Sequence, residues 1–183
     1  LPKNLMDIDN GVEKNIKLLA EAKNKKVSEI NACVLKRPRH EEIIKTLNNL
    51  NVKINYITDG DIAGALSVIG DDPKNDIYYS TGGAPEGVVV AAALSCYGGQ
   101  IQGKLVLNEQ EKIRAKKLGI IDFEKKYNID DMVKGDVIFC ATGVTSGDLA
   151  DGVKDLGNEF EVNTFILHKS QKIIKSVTNI YNK

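Results

Sequence analysis

Several features are scarce or missing in this sequence of 183 residues. It has no tryptophan, aromatic residues make up 5% of it, and only three residues are cysteines. No apolar run approaches the ~18 residues that a membrane-spanning helix needs, and the longest candidate covers only residues 88–94. Charged residues near Leu1 also interrupt any apolar stretch of the kind found in a signal peptide. These absences predict a protein that has no contact with a membrane.

An excess of one charge is also missing, because 25 lysines and arginines balance 25 aspartates and glutamates. A protein that coats nucleic acid usually carries a clear positive excess. We therefore expect no nucleic-acid partner. A local site for a small anion is still compatible with a net charge of zero.

The cysteines, Cys33, Cys96 and Cys140, are odd in number, far apart and set among apolar residues. A disulfide framework or a zinc site would need paired or closely spaced ligands. The pattern predicts three buried thiols in a reducing compartment. We therefore expect a cytoplasmic protein.

Apolar periodicity indicates the order of the secondary structure. Helical patterns cover residues 10–23, 62–69 and 86–96, and a further helix starts at Pro38, whose ring suits a first helical turn. Short apolar strands are predicted at 30–35, 52–57, 76–80 and 137–141. Residues 160–167 and 172–180 alternate as in a hairpin. We predict an α/β fold, a layered α/β domain with a mixed sheet, with residues 1–183 forming a single domain.

Three loops in this pattern could carry chemistry, because loops at the carboxyl ends of strands usually bind the ligands of α/β folds. The first has the sequence Arg37-Pro38-Arg39-His40 and opens a helix. Cations are unfavourable at a helix N-terminus unless an anion binds there. The loop therefore predicts a phosphate site, or else solvated surface charge paired with nearby glutamates.

The second loop, Asp59-Gly60-Asp61, joins a strand to a helix. Gly60 allows a sharp turn, and the two carboxylates could accept hydrogen bonds from sugar hydroxyls or contribute to a cation site. The structural alternative is an ordinary aspartate cap followed by a turn residue.

The third loop runs from Gly82 to Gly87 and precedes an apolar helix. Two glycines before a helix N-terminus are suited to a phosphate, although neither the P-loop spacing nor the dinucleotide fingerprint is present. Glu86 lies in the first helical turn, where its carboxylate could bind Mg²⁺ or Mn²⁺. It could equally serve only to complement the helix dipole.

Two further signals favour structural roles. Residues 142–148 follow a strand and could form a fourth loop at the same edge, but we interpret them as a turn. His168 lies in the terminal hairpin, where a lone histidine is more often structural than catalytic.

Taken together, the loops resemble the class II, GlpX-type fructose-1,6-bisphosphatases of bacteria. The similarity rests on the three loops above, on residues 134–139, and on the run from Ala141 to Asp148, which occur in the family's order. The resemblance implies a sugar-phosphatase fold of the fructose-1,6-bisphosphatase and inositol monophosphatase type. It also implies hydrolysis of the 1-phosphate of fructose 1,6-bisphosphate, to yield fructose 6-phosphate in gluconeogenesis.

The resemblance also implies roles for individual residues. Substrate binding falls to Arg37, Pro38, Arg39, Asp59, Gly60, Asp61 and Gly83, and metal binding to Glu86, with Mn²⁺ or Mg²⁺ as the cofactor. The intact enzyme is expected to be a homo-oligomer, either a dimer or a tetramer, and to act in glycerol metabolism as well.

One departure from the family is large. The family's Asp-Gly-Thr motif, its other metal carboxylates and a threonine near the attacking water belong to an N-terminal half that has no counterpart in these residues. We therefore expect this chain to be about the C-terminal half of the parent enzyme, to contain no catalytic residues and to be inactive alone. Sedoheptulose-1,7-bisphosphatase activity, inositol phosphatase activity and a non-catalytic sugar-phosphate-binding module are the alternatives.

Overall fold

The computed structural model describes residues 1–183 and shows six α-helices and nine strands in three sheets. The helices are α1 (Gly11–Ala22), α2 (Glu41–Asn49), α3 (Asp61–Leu66), α4 (Ala84–Tyr97), α5 (Glu109–Lys117) and α6 (Ile129–Met132). The strands are β1 (Asn31–Leu35), β2 (Lys53–Ile57), β3 (Ile77–Tyr79), β4 (Gln102–Lys104), β5 (Lys126–Asn128), β6 (Ile138–Thr142), β7 (Lys154–Asp155), β8 (Glu159–His168) and β9 (Ile173–Asn182). None of the helices has the length and apolar character that crossing a membrane requires.

The first sheet is parallel, with strand order β2-β1-β3. Its central strand is almost entirely buried, as expected of a strand covered on both faces. Helices α1 and α2 cover one face, where Ile16, Leu19 and Leu47 pack on Ala32 and Val34. Helix α3 covers part of the other face. The sheet is therefore enclosed where β1 runs through it.

The remaining strands pair in an antiparallel manner. Strands β4 and β5 form a small two-stranded ribbon. Strand β8 is the centre of a four-stranded sheet, with β6 and β7 along one side and β9 along the other. Register along the β8–β9 hairpin is continuous over ten residue pairs, from Glu159–Asn182 to His168–Ile173.

Helix α4 joins the two large sheets, because it is apolar nearly all round. On one side, Val90 and Leu94 pack against Ala65 of α3. On the other, Ala93 packs against Phe139 and Leu167 of the four-stranded sheet. A helix that is apolar around its circumference belongs in an interior. The layers thus run from α1 and α2 through the parallel sheet and α3–α4 to the four-stranded sheet.

The α/β fold with both parallel and antiparallel pairing is confirmed, and the two kinds of pairing lie in different sheets. The prediction of three buried thiols is wrong at one position. Cys33 is buried and Cys96 is partly buried, but Cys140 is exposed on β6. Apolar neighbours in sequence do not imply burial here, since β6 has only one face covered.

Candidate functional site

The three loops selected from the sequence leave the same edge of the parallel sheet. Each follows the carboxyl end of one strand, β1, β2 or β3, and the three strands run in the same direction. Hydrogen bonds then connect the first and second loops to residues 78–81 at the end of β3, directly before the third loop. The edge is therefore a continuous rim rather than three separate turns.

The first loop carries two arginines, of which Arg39 contacts the chain just after β3. Arg37 has an extended backbone, as the residue before a proline prefers, and its side chain is half-buried. Pro38 opens a short 3₁₀ turn that runs into α2. Arg39 is exposed, and its Nε donates a hydrogen bond of 2.6 Å to the carbonyl oxygen of Thr81. The other two guanidinium nitrogens of Arg39 make no hydrogen bond within the chain.

His40 does not belong with the arginines as an anion ligand, because its ring is fully buried. Its Nδ1 lies 2.5 Å from the carbonyl oxygen of Leu35, and its Nε2 accepts a 2.8 Å hydrogen bond from the Thr81 N–H. A carbonyl can only accept, so Nδ1 must carry the proton and the ring must be neutral. His40 therefore holds the end of β1 against the start of the third loop.

The second loop starts α3 with a left-handed residue. Gly60 has φ +84°, a conformation that glycine adopts without steric cost, and it lies at the N-cap position. Its N–H donates a 2.8 Å hydrogen bond to Asp59 Oδ1. Asp59 is exposed, whereas Asp61 is half-buried at the first helical position. The turn thus separates the two carboxylates, with Asp61 directed inwards.

Two hydroxyl groups of the β3 end hold Asp61. Tyr78 donates a 2.5 Å hydrogen bond and Ser80 a 2.7 Å hydrogen bond to the same oxygen, Oδ1. Burial and the bond to Asp61 both raise the pKa of Tyr78, so its hydroxyl stays protonated and remains a donor. A methyl group added at Gly82 would lie 3.4 Å from Oδ2, the other oxygen of Asp61. Oδ2 is therefore directed at the third loop.

The third loop ends at Gly83, which precedes α4 without a side-chain cap. The carboxylate of Glu86, in the first turn, folds back over Gly83, and a Cβ at that position would overlap Glu86 Oε2. A side chain at position 83 would therefore require the Glu86 carboxylate to move from this place. The first-turn N–H groups of α4 and the Glu86 carboxylate consequently lie together at the rim.

The charged residues of the rim are not neutralised within the chain. Ion pairs occur throughout the rest of the molecule, yet none of them includes Arg37, Arg39, Asp59, Asp61 or Glu86. Both signs of charge thus remain available to a ligand with anionic groups and hydroxyls.

Glu86 is a suitable ligand for a divalent cation at the rim. Glu86 offers carboxylate oxygens, the donor type that hard cations prefer, on a helical residue that lies over a glycine. However, no group of three or more histidine, cysteine, aspartate or glutamate side chains is arranged to hold a metal. Glu86 fits a metal as a contributing ligand, and a complete coordination shell is not formed by these 183 residues.

The predicted fourth loop lies away from this rim. It follows β6 of the antiparallel sheet, and Asp148 pairs at 2.9 Å with Lys74, which precedes β3. Gly143 and Gly152 allow the backbone of the loop to fold tightly on itself, because a Cβ at either position would clash with backbone atoms across the loop. The loop is therefore a structural turn, in agreement with the interpretation from sequence.

Three residues that support the rim were not identified from the sequence. Tyr78 and Ser80 hold Asp61, and Thr81 bonds both Arg39 and His40. The available signal was the polar run Tyr78-Tyr79-Ser80-Thr81 directly before two glycines. Hydroxyl-bearing residues at a strand end can orient neighbouring carboxylates, but the partner of each hydroxyl depends on the tertiary fold.

Comparison with known proteins provides an independent line of evidence. Residues 2–181 match the family model described as bacterial fructose-1,6-bisphosphatase, glpX-encoded. The chain is 32% identical over 194 residues to the class 2 fructose-1,6-bisphosphatase of Haemophilus influenzae, covering 98% of this chain and 58% of the relative. It is also 32% identical over 194 residues to fructose-1,6-bisphosphatase 1 class 2 of Escherichia coli, of which it covers 57%.

One relative, from a Synechococcus species, is named for two activities. The chain is 32% identical over 195 residues to the D-fructose 1,6-bisphosphatase class 2/sedoheptulose 1,7-bisphosphatase of a Synechococcus species, covering 99% of this chain and 56% of the relative. The chain thus spans little more than half the length of these curated relatives. Because the family model matches nearly every residue, this chain belongs to the glpX-encoded bacterial fructose-1,6-bisphosphatase family.

Proposed function

We propose that this chain is the C-terminal, sugar-phosphate-binding half of a metal-dependent class II fructose-1,6-bisphosphatase. The parent enzyme would hydrolyse the 1-phosphate of fructose 1,6-bisphosphate to yield fructose 6-phosphate. The observation that carries the proposal is the rim of unpaired charges, since both arginines and all three carboxylates lie at one strand edge without an ion pair. Membership of the family supports the proposed substrate class.

The arginines of the first loop are suited to the phosphate that is not cleaved. A guanidinium group presents donors in a planar fork that matches phosphate oxygens, and Arg39 is already oriented by its bond to Thr81. Pro38 limits the backbone freedom between Arg37 and Arg39. Binding the remote phosphate in this way would place the other end of the sugar at the reacting centre.

The second and third loops are suited to the sugar itself. The carboxylates of Asp59 and Asp61 can accept hydrogen bonds from hydroxyls, and Gly60 provides the turn that separates them. Asp61 is pre-oriented, because Tyr78 and Ser80 occupy one of its oxygens and leave the other free. Gly83 allows its backbone to approach a ligand closely.

Glu86 would hold one of the divalent cations, Mg²⁺ or Mn²⁺. Such cations, when bound, lower the pKa of a water molecule and neutralise phosphoryl oxygens. The part played by this chain is to present Glu86 in the first turn of α4, beside backbone N–H groups that favour negative charge. The remaining ligands and the group near the attacking water would come from the rest of the parent enzyme, which we propose to be a homo-oligomer.

Replacing Arg39 in the parent enzyme tests the phosphate site. Arg39→Ala should raise KM for fructose 1,6-bisphosphate by roughly tenfold or more, because a charge-assisted bond to phosphate contributes about 1.5–3 kcal/mol. Arg114→Ala is a matched control, since Arg114 is also exposed and unpaired but lies on α5. Unchanged KM and turnover in Arg39→Ala would remove the phosphate site from the proposal.

Replacing Glu86 tests the metal assignment. Glu86→Gln should weaken activation by Mn²⁺ and reduce turnover by about 10- to 100-fold or more, as expected for loss of a ligand or of a group that orients one. Glu21→Gln, an exposed glutamate on α1, should leave both unchanged. Normal metal dependence in Glu86→Gln would show that this carboxylate has only a structural role.

The sedoheptulose bisphosphate activity named for the Synechococcus relative makes that sugar a second candidate substrate. A substrate panel with both bisphosphates, the corresponding monophosphates and inositol phosphate separates the possibilities, because a true bisphosphatase should need the second phosphate. Calorimetry of this chain with fructose 1,6-bisphosphate, with and without Mn²⁺, complements the panel. Binding that never leads to turnover in the parent protein would indicate a sugar-phosphate-binding module.

A further inference from the structure

The four-stranded sheet has one face that nothing in the chain covers. Side chains alternate along its strands, so Phe139 and Leu167 point to α4 and are buried. The opposite face carries apolar side chains from three strands, and none of these belongs to a packed cluster. Polar side chains, among them Thr164, Lys175 and Asn179, lie between them. Six residues illustrate its character: Ile138, Cys140, Val162, Ile166, Val177 and Tyr181. We call this surface the free face.

The free face differs from the opposite end of the molecule. Helices α1 and α2 form the other outer layer, and they direct their apolar residues inwards onto the parallel sheet. On the free face, in contrast, Ile138 is 65% exposed and Tyr181 is 53% exposed. Outer layers of proteins normally present polar side chains, and large exposed apolar patches mark interaction sites.

The border of the same sheet is also open. Strand β9 pairs only with β8, although it is ten residues long. Proteins usually protect such an edge with proline, a bulge, a short strand or a covering element. Strand β9 contains no proline and a single lysine, Lys175. Its outer edge therefore presents unpaired backbone groups that a further strand could join.

The total accessible surface of the chain is larger than expected for a compact monomer of its mass. The accessible area of the chain is 11500 Å², whereas a compact monomer of 20.0 kDa exposes about 8,700 Å². Only 24 of the 183 residues are buried. The excess of about 2,800 Å² exceeds the ~800 Å² that each partner contributes to a standard interface.

We propose that the free face and the β9 edge form the docking surface for the rest of the family chain. That remainder exists in the relatives, whose sequences extend well beyond the match, which accounts for 56–58% of their length. It would add a strand to β9 and pack apolar side chains on the free face. The inference concerns assembly of the fold and does not depend on the proposed activity.

A second copy of this chain fits the surface less well. Strands β8 and β9 have ten residues each, and β6 and β7 together add seven. At ~4.8 Å between strands and ~3.3 Å per residue, they present a face of about 430 Å². Two copies stacked through it would bury less than a standard interface and would leave both β9 edges open. A segment that adds a strand to β9 and also packs on the free face would cover both the open edge and the exposed apolar side chains.

Cys140 is a natural reporter, because its thiol lies on the free face and the other cysteines are less exposed. The test compares the isolated 183-residue chain with a chimera in which this chain replaces the matched part of the Escherichia coli relative. Maleimide labelling, followed by mass spectrometry of each cysteine peptide, should be at least ~10-fold slower at Cys140 in the chimera, because labelling would then require local opening. Ile121→Cys, a site 81% exposed in the isolated chain and away from the sheet, should label rapidly in both proteins.

Equal labelling of Cys140 in the two proteins would overturn the proposal. So would a discrete dimer of the isolated chain that Val177→Lys dissolves, because the free face would then belong to a second copy. The full-length Escherichia coli relative provides a second measurement if the chimera does not fold. A cysteine placed at its position equivalent to 140 should be protected in the whole protein and reactive in its matched fragment, and the reverse result would again overturn the proposal.

Discussion

At the scale of single residues, His40 decides how the rim is assembled. Its two ring nitrogens join the end of β1 to Thr81, which in turn bonds Arg39. Because the ring is fully buried, no water can replace either bond. His40 is therefore a positioning residue, which acts on a ligand only through the loops that it holds.

His40→Ala should lower the free energy of unfolding by about 1–3 kcal/mol, because it leaves the carbonyl of the buried residue Leu35 and the N–H of Thr81 without their partner. In the parent enzyme, it should also raise KM for the bisphosphate more than it lowers turnover, since Arg39 loses its support. Chemical denaturation and steady-state kinetics measure the two effects. Replacing the other histidine, His168, which is partly exposed, should have a smaller effect on stability, and an equal effect would contradict the assignment.

Asp76 plays the corresponding role at the opposite edge of the sheet. Its carboxylate is only 4% exposed and bonds Lys23, Lys25 and the N–H of Asn31. Burial acts to raise its pKa, but the hydrogen bonds from Lys23, from the Asn31 backbone and from Lys25 outweigh burial and lower the pKa. The ionised form thus belongs to the folded state.

A pKa lowered by folding implies stability that is fully present above the unfolded value, near pH ~4, and is lost as pH falls through the folded value. Asp76→Asn should therefore reduce stability at neutral pH by about 2–3 kcal/mol, since it leaves two partly buried lysines without a counter-charge. The difference from the unsubstituted chain should shrink on acidification below pH ~4. Thermal denaturation from pH 3 to 7 measures this difference in stability. A difference that does not change with pH would contradict the lowered pKa of Asp76 in the folded chain.

At the scale of secondary-structure elements, the close approach of α3 to the sheet positions Asp61. Gly64 allows this approach, because a Cβ there would lie 2.5 Å from Ile57 Cδ1 and 2.9 Å from a ring atom of Tyr78. Tyr78 is the residue that bonds Asp61. Packing of the helix and orientation of the carboxylate are therefore coupled through one ring.

Gly64→Ala should destabilise the fold by about 1–3 kcal/mol, as overpacking of a buried site does. Gly87→Ala is the matched control, because Gly87 is also helical but has no atom within 4 Å of the added Cβ. That control should be neutral or stabilising by up to about 1 kcal/mol, from the higher helix propensity of alanine. Similar denaturation midpoints for the two variants would show that α3 can move away without cost.

Local patterns predicted most of the elements, with errors at their ends. Strand β3 (Ile77–Tyr79) and helix α4 (Ala84–Tyr97) match the apolar runs chosen for them. The first helix was predicted over residues 10–23, whereas α1 runs from Gly11 to Ala22 and follows a 3₁₀ turn that Asp7 caps. The short strands β5 and β7 were missed, since two or three residues carry no periodicity that a sequence could reveal.

At the scale of the whole molecule, three loops meet at one rim, but no group of three or more histidine, cysteine, aspartate or glutamate side chains is arranged to hold a metal. We expect the isolated 183-residue chain to release little or no phosphate from fructose 1,6-bisphosphate, with or without Mn²⁺. A phosphate-release assay measures this directly. Metal-dependent turnover by the chain alone would show that the rim itself holds a working metal site.

The sequence by itself determined the order of the elements and the residues of the rim. Glycine, proline and the spacing of apolar residues affect the conformation of nearby residues. The turn at Gly60, the helix start at Pro38 and the glycines before α4 could therefore be predicted without knowledge of the fold. Only the tertiary structure decided that His40 is buried and hydrogen-bonded to Thr81, 41 positions away in the sequence. It also decided that Tyr78 and Ser80 donate hydrogen bonds to Asp61, from which they are 17 and 19 positions away. It also decided that Cys140 lies on an uncovered face, because burial depends on which sheet faces find a partner and not on the residues next in the chain.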